Sequence, residues 1–220
     1  MLDIIYNGIY INLTPYRESD IPIWASWFNN KLVTRSLEQG RYPVSQDDQL
    51  EFARSAQSNN RAVFMIRSKL DELLGTVSLS NIDMFHRRAQ VAIICPPSQT
   101  KPHFAALESM ALVIQHGFIE FGLNRIYAGQ VIDGLQDWIL KLVVLGFRVE
   151  GVHNNSFFNG TEYKDTISMA INRDSFLEVS KRLGGFWSSN KVFEQEFKKD
   201  FSSADSLVGV DAQILQKLKL

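Results

Sequence analysis

One stretch of this chain leaves the fold little freedom: residues 88–145 read strand, break, helix, strand, helix. Ala89-Gln90-Val91-Ala92-Ile93-Ile94-Cys95 runs into continuous apolar residues, the pattern of a strand buried on both faces, and predicts a strand over Arg88–Cys95. Pro96-Pro97 stops it, because proline cannot donate to a ladder and is hard to place inside a helix. Phe104, Leu107, Met110, Ala111, Ile114, Phe118 and Phe121 then recur at helical spacing, which predicts a helix over 104–121 ended by Gly122. Asn124–Val131 is the next strand. Leu135, Trp138, Ile139, Leu142 and Val143 share one side of a second helix, which ends at Gly146. Two strands joined by a crossover helix run parallel, so a parallel pair is expected inside the sheet.

The flanking segments read as antiparallel. Gly8–Thr14 alternates with Ile9, Ile11 and Leu13 on one face, a predicted first strand. Ser19 or Asp20 can cap a helix with Pro22 in its first turn and Ile21, Trp24, Trp27 and Phe28 on its apolar side. Ser45 and Asp48 have the spacing of a capping box before Leu50, Phe52, Ala53 and Ala56. Arg61–Arg67 and Leu74–Leu79 read as strands joined by a polar hairpin loop, and Phe147–His153 and Lys164–Asn172 as a pair around Asn159-Gly160.

The expected fold class is therefore α/β (α+β): a mixed, mostly antiparallel sheet with a central parallel strand pair flanked by helices. It spans residues 1–172, and residues 173–220 form a helical C-terminal extension broken at Gly184-Gly185 and Ser202-Ser203. Phe176, Leu177, Val179, Leu183, Val192, Phe193, Phe197 and Phe201 are too many apolar groups for a free linker. The extension is expected to pack on the domain or on a second copy, so a homodimer is one arrangement the sequence allows.

A chain of 220 residues with a net charge of −1 has no global basic field, so neither nucleic acid nor a membrane surface is expected as a partner. Cys95 is the only cysteine, which rules out an intrachain disulfide and suits a reducing compartment. Met1–Tyr10 lacks a basic segment followed by an apolar one, and no apolar run approaches the ~20 residues that cross a bilayer. A cytoplasmic protein is expected. The four histidines have no ligand spacing, so no metal is assigned. There is no Walker loop, dinucleotide fingerprint or nucleophile elbow.

Taken in order, several short segments resemble the GNAT family of N-acetyltransferases, in its branch of ribosomal-protein and amino-sugar acetyltransferases. Arg17 and Asp20 match an opening Arg-x-x-Asp. Trp27-Phe28-Asn29-Asn30 with Val33-Thr34-Arg35 is similar to the first-helix signature. Leu74-Gly75-Thr76-Val77, Asn81-Ile82-Asp83 and His86-Arg87-Arg88-Ala89 match the third strand and the turn after it. Leu123-Asn124-Arg125-Ile126-Tyr127, Leu145-Gly146-Phe147 and Glu150-Gly151 follow, then Phe157-Phe158-Asn159-Gly160 with Tyr163 and Asp165. The resemblance covers roughly residues 9–172.

It implies acetyl-CoA as co-substrate and a primary amine as acceptor, on an amino sugar or on a protein. The thioester would lie along Ile93, Ile94 and Cys95. The pyrophosphate would sit at the start of the following helix, where free N–H groups and the helix dipole favour an anion. The family's loop, Gln/Arg-x-x-Gly-x-Gly/Ala, falls on Lys101-Pro102-His103-Phe104-Ala105-Ala106. Lys101 and His103 are candidate phosphate partners beside Phe104, Ala105 and Ala106. Leu135 and Trp138 complete the cofactor set, although Trp138, like Trp24 and Trp27, also reads as core. His86, in the turn after Asp83, is the candidate general base; a surface-turn histidine is the plainer reading of it. Cys95 reads as a small buried apolar residue.

Four positions depart from the family pattern. Phe104 stands for a glycine, Leu135 for an asparagine, Leu142 for the tyrosine that protonates the departing thiolate, and Gln90 for an acidic residue. Pro102 also removes an amide donor. A second reading therefore stays open at this point: a fold that has lost its cofactor site and serves as a binding or scaffold module.

If Lys101 holds phosphate, Lys101→Ala weakens acetyl-CoA binding by about 1.5–3 kcal/mol in calorimetry, the range of a charge-assisted hydrogen bond. If the Phe104 ring occludes backbone amides, a folded Phe104→Gly protein binds more tightly than the parent. Equal affinities would return Lys101 to the solvated surface and discard steric occlusion.

Overall fold

The computed structural model describes residues 3–37, 40–57, 60–97, 104–187, 192 and 195. Lys101, Pro102 and His103, the Ser202-Ser203 break and the later apolar residues of the extension, Phe193, Phe197 and Phe201, lie outside them. The chain divides into two compact units, residues 1–122 and 123–220.

The first unit carries β1 (Tyr6–Asn7), β2 (Ile11–Thr14), β3 (Ala62–Ser68), β4 (Leu73–Asp83) and β5 (Arg88–Ile94), paired antiparallel in that order. Its helices are α1 (Ile21–Asn29), α2 (Lys31–Thr34), α3 (Gln46–Ala56) and α4 (Ala105–Ile119). Pro22 occupies the first turn of α1, where its missing N–H costs nothing. The Ser45–Asp48 capping box starts α3 as expected, each side chain meeting the other's backbone N–H. Ile21, Trp24 and Trp27 of α1 and Ala53 and Ala56 of α3 bury against Val63 and Met65 of β3.

The expected single strand over Gly8–Thr14 is corrected to a hairpin. Ile9 lies in its turn, 47% exposed, rather than beside buried Ile11 and Leu13. The reason is Glu108, fully buried on α4. Its Oε1 accepts the Ile9 N–H at 2.6 Å, and Oε2 accepts those of Tyr10 at 2.9 Å and Ile11 at 3.1 Å. A carboxylate that collects three amides turns the chain where alternation alone would extend it. Gly8 is required there, since a Cβ would sit 2.8 Å from both the Glu108 carboxyl carbon and the Ile11 carbonyl oxygen.

A second buried charge anchors α1. Arg67 of β3 pairs with Asp20 at 2.6 Å, with side chains 4% and 5% exposed. Arg67 also donates to Thr14 Oγ1 and to the Asp71 carbonyl, both at 3.2 Å. The Asp20 carboxylate accepts the Arg17 N–H at 2.8 Å, and the Arg17 guanidinium pairs with Asp71 at 2.8 Å, which holds the Asp71 carboxyl below its ordinary range. The Arg-x-x-Asp motif is thus a structural clamp between the start of α1 and the hairpin of β3 and β4.

The second unit carries β6 (Arg125–Val131), β7 (Arg148–Phe158) and β8 (Tyr163–Asn172), in the antiparallel order β6-β8-β7, with α5 (Gln136–Val144) and α6 (Arg173–Leu183). Asn159 makes the expected turn, its side-chain oxygen accepting the N–H groups of Thr161 and Glu162 at 3.0 Å. Asn172 caps α6, and Gly184, left-handed at φ 68°, ends it. Phe176, Val179, Leu183 and Phe186 are buried, α6 packs on β8, and Arg182 donates to the Val144 carbonyl at 3.0 Å. The described start of the extension is packed structure. The parallel pair expected over 88–95 and 124–131 would draw one strand from each unit.

Glu108→Gln should cost about 2–4 kcal/mol in chemical denaturation, because an NH2 group would face N–H donors that have lost their acceptor. Asp20→Ala should cost about 3–5 kcal/mol, since it leaves the Arg67 charge buried and unpaired. Stabilities equal to the parent's would show that neither carboxylate holds its element.

Candidate functional site

A cavity of about 520 Å³ lies wholly within the first unit. Trp24 and Phe28 of α1, and Asp48, Gln49 and Phe52 of α3, form one side. Arg61 and Val63 line it next to Thr76, Ser78 and Ser80 of β4 and Ala92, Ile93 and Ile94 of β5. Leu37, Gly40, Arg41, Tyr42 and Val44 rim it. Asn29 secures that rim, donating to the Val44 carbonyl at 2.8 Å and accepting the Val44 N–H at 3.0 Å, while Lys31 donates to the Gly40 carbonyl at 2.6 Å. The first-helix residues Asn29 and Asn30 therefore act on backbone, Asn30 by capping α2 through the Leu32 N–H.

Beside the cavity, Gly75 lets β5 approach β4. A Cβ there would stand 2.3 Å from the Ile94 carbonyl oxygen and 3.0 Å from the Cys95 Cα. The register pairs Thr76 with Ile94 and Ser78 with Ala92. Thr76, Ser78 and Ser80 alternate along one face of β4, a row of hydroxyls about 13 Å long at the strand rise.

Two of the lining residues also carry donors that are unpaired among the described residues. Trp24 Nε1 and Gln49 Nε2 are buried and have no hydrogen-bond partner among the described residues. Each such donor costs about 1–3 kcal/mol. The Arg61 guanidinium lies 5.1 Å from the centre of the Phe52 ring and has no ion pair among the described residues. Asp48, the one lining carboxylate among the described residues, accepts the N–H of Ser45 at 2.9 Å and its hydroxyl at 2.6 Å, which lowers its pKa.

Of the residues singled out in the sequence, Ile93 and Ile94 line the cavity. Cys95, next along the chain, is half-buried rather than fully buried. Phe104 caps α4 with φ −98° and ψ 7°, a conformation any L residue adopts, and is half-buried, with Ala105 buried and Ala106 half-buried behind it. Leu135 caps α5 and Trp138 is half-buried in its first turn, both in the second unit. Leu142, the position of the family's tyrosine, is fully buried packing on α5.

His86 is not brought to the cavity. It sits in the turn beyond the Asp83–Arg88 pair, its side chain 59% exposed, with Nδ1 2.8 Å from Asp83 Oδ2. The His86 backbone N–H, then its ring, hold the Asp83 carboxyl at about 2. The Gln90 side-chain oxygen accepts from Asn81 at 3.0 Å. Sequence reasoning passed over Arg61, Gln49 and the β4 hydroxyls. The alternation Thr76, Ser78, Ser80 was the available signal for the last of these.

A family model for the acetyltransferase (GNAT) domain matches residues 11–132, more than half of the chain. The chain belongs to the GNAT acetyltransferase family. It is 25% identical over 175 residues to the spermidine N(1)-acetyltransferase of Escherichia coli strain K12, covering 79% of this chain and 92% of that protein. In fold it is similar to the Vibrio cholerae spermidine N-acetyltransferase solved with CoA and spermine, at TM-score 0.68 and 23% identity over 76% of this chain and 98% of that one. It is also similar to the ribosomal L7/L12 alpha-N-protein acetyltransferase RimL solved with CoA, at TM-score 0.67 and 18% identity, over 78% and 99%. The chain is thus an acetyl-CoA-dependent GNAT acetyltransferase, and its family reaction is acetyl transfer to an amine. No described helix is long and apolar enough to cross a membrane.

Proposed function

We propose that the enzyme acetylates the primary amine of a small molecule bound in the first-unit cavity, and that it does so in the cytoplasm. The observation that carries this is the cavity against β5: about 520 Å³ is the size of a small-ligand pocket, and Ala92, Ile93 and Ile94 line it. Acetyl-CoA presents its thioester along Ile93–Cys95, where backbone N–H groups polarise the carbonyl, with Phe104, Ala105 and Ala106 at the start of α4 toward the pyrophosphate. The neutral amine attacks the carbonyl carbon, the C–N bond forms, the C–S bond breaks, and the thiolate leaves. Water takes the amine proton, since His86 stands away from the cavity. The reading is supported by the family match and by a lining that retains open volume between α1, α3 and β5.

The test is Ala92→Phe, which puts a ring into the cavity opposite Ser78. Acetyl-CoA at 100 times its Kd should stabilise parent and variant alike by about 2.7 kcal/mol. Thiol release with amines should fall at least 100-fold in the variant. Turnover at the parent's rate would place the acceptor elsewhere, and no thermal response of the parent to acetyl-CoA would favour the scaffold reading.

A further inference from the structure

Resting on that reading, we propose that the acceptor amine is carried on an apolar body, a ring or an alkyl chain, that lies between α1, α3 and β5. Phe28 of α1 and Phe52 of α3 line the cavity from the helices, and Ala92, Ile93 and Ile94 line it from β5. Phe28, Phe52 and Ile94 are only partly buried against the cluster around Val63 and Met65, so each keeps apolar surface that this packing does not cover. Phe52 is also held in place: the Trp24 ring meets it edge-on at 5.7 Å, and the Arg61 guanidinium lies 5.1 Å from its centre. A side chain that is already fixed loses little freedom when a ligand covers it.

Taking that surface out of water is the favourable step, and it rewards an apolar partner in proportion to the area covered. A sugar body would set its hydroxyls against Phe28, Phe52, Ile93 and Ile94, whose side chains return no hydrogen bond. On β4 the hydroxyls of Ser78 and Ser80 can orient the amine, since each can donate or accept. The walls also serve the chemistry. An ammonium ion is disfavoured in apolar surroundings, so an amine held there gives up its proton more readily, and the neutral amine is the form that attacks a thioester. Phe28 and Phe52 are thus specificity-determining residues: they hold the acceptor's body while its amine reaches β5.

The experiment compares phenethylamine, hexylamine, glucosamine and spermidine, with thiol release measured at saturating acetyl-CoA. The expected result is a kcat/KM about tenfold or more higher for phenethylamine or hexylamine than for glucosamine and spermidine. The faster of the first two decides between ring and chain. In Phe28→Ser that preference should fall about tenfold, through KM rather than kcat, and Phe28→Leu should restore it. Phe52→Ser should act in the same direction. Acetyl-CoA should raise the melting temperature of each variant as it does the parent's, which shows that the fold is kept. Glucosamine or spermidine as the best acceptor, or a preference untouched in both serine variants, overturns the proposal while leaving the acetyltransferase reading intact. Thiol release with none of the four counts against the acceptor-site reading, and phenethylamine binding followed by tryptophan fluorescence then judges the proposal by itself. Binding that weakens in Phe28→Ser supports it, and binding that is absent or unchanged in that variant sinks it.

Discussion

The pairing of Arg67 with Asp20 is the constraint on which the first unit rests. Two charges taken out of water are tolerated only when their remaining hydrogen-bonding capacity is filled. Here Thr14, Asp71 and the Arg17 backbone fill it. The result joins β2, β3 and the start of α1 at one point, so the direction in which α1 leaves the sheet is set before its apolar face makes contact. Trp24 and Phe28 pack with the cluster around Val63 and Met65 of β3 and also wall the cavity. Glu108 acts in the same way from α4, trading its desolvation for three amides of the first turn. Ionic groups that offer little net stability as pairs gain their value here by fixing where helices begin.

The apolar packing follows from these anchors. α1 and α3 share the cluster around Val63 and Met65, yet their far residues leave volume open toward β5. That volume persists because its rim is tied through backbone contacts from Asn29 and Lys31, which do not depend on side chains filling the space. Gly75 allows the end of β5 to press on β4, so the strand that would carry the thioester meets the cavity at Ile93 and Ile94.

Much of this was legible in the sequence. The helix from 104 to 121, the capping box at Ser45 and the turn at Asn159 were read from period and cap chemistry, and each lies within about a residue or two of its expected place. Gly8–Thr14 was misread because alternation cannot register a carboxylate about a hundred residues away that gathers the turn's amides. His86 drew attention through its intrinsic pKa, but only the β4–β5 register shows how far along the hairpin it lies. Arg61 and Gln49 were invisible because one looks like a strand-end charge and the other like a polar helix position.

That last point also bears on energetics. Buried donors without acceptors among the described residues, at Trp24 and Gln49, subtract stability, about 1–3 kcal/mol each. A packing-optimised version of this unit would replace them with apolar groups of similar size at little cost. They belong to residues that line the cavity together with Arg61, which has no ion pair among the described residues, and the hydroxyl-bearing Thr76, Ser78 and Ser80. The net charge of −1 hides this, because a whole-chain sum averages over the very separation that gives the cavity its polarity. Among the described residues the lining carries charges of both signs, Arg41 and Arg61 with Asp48, so selectivity among amines in this fold is a question of which of them a ligand meets.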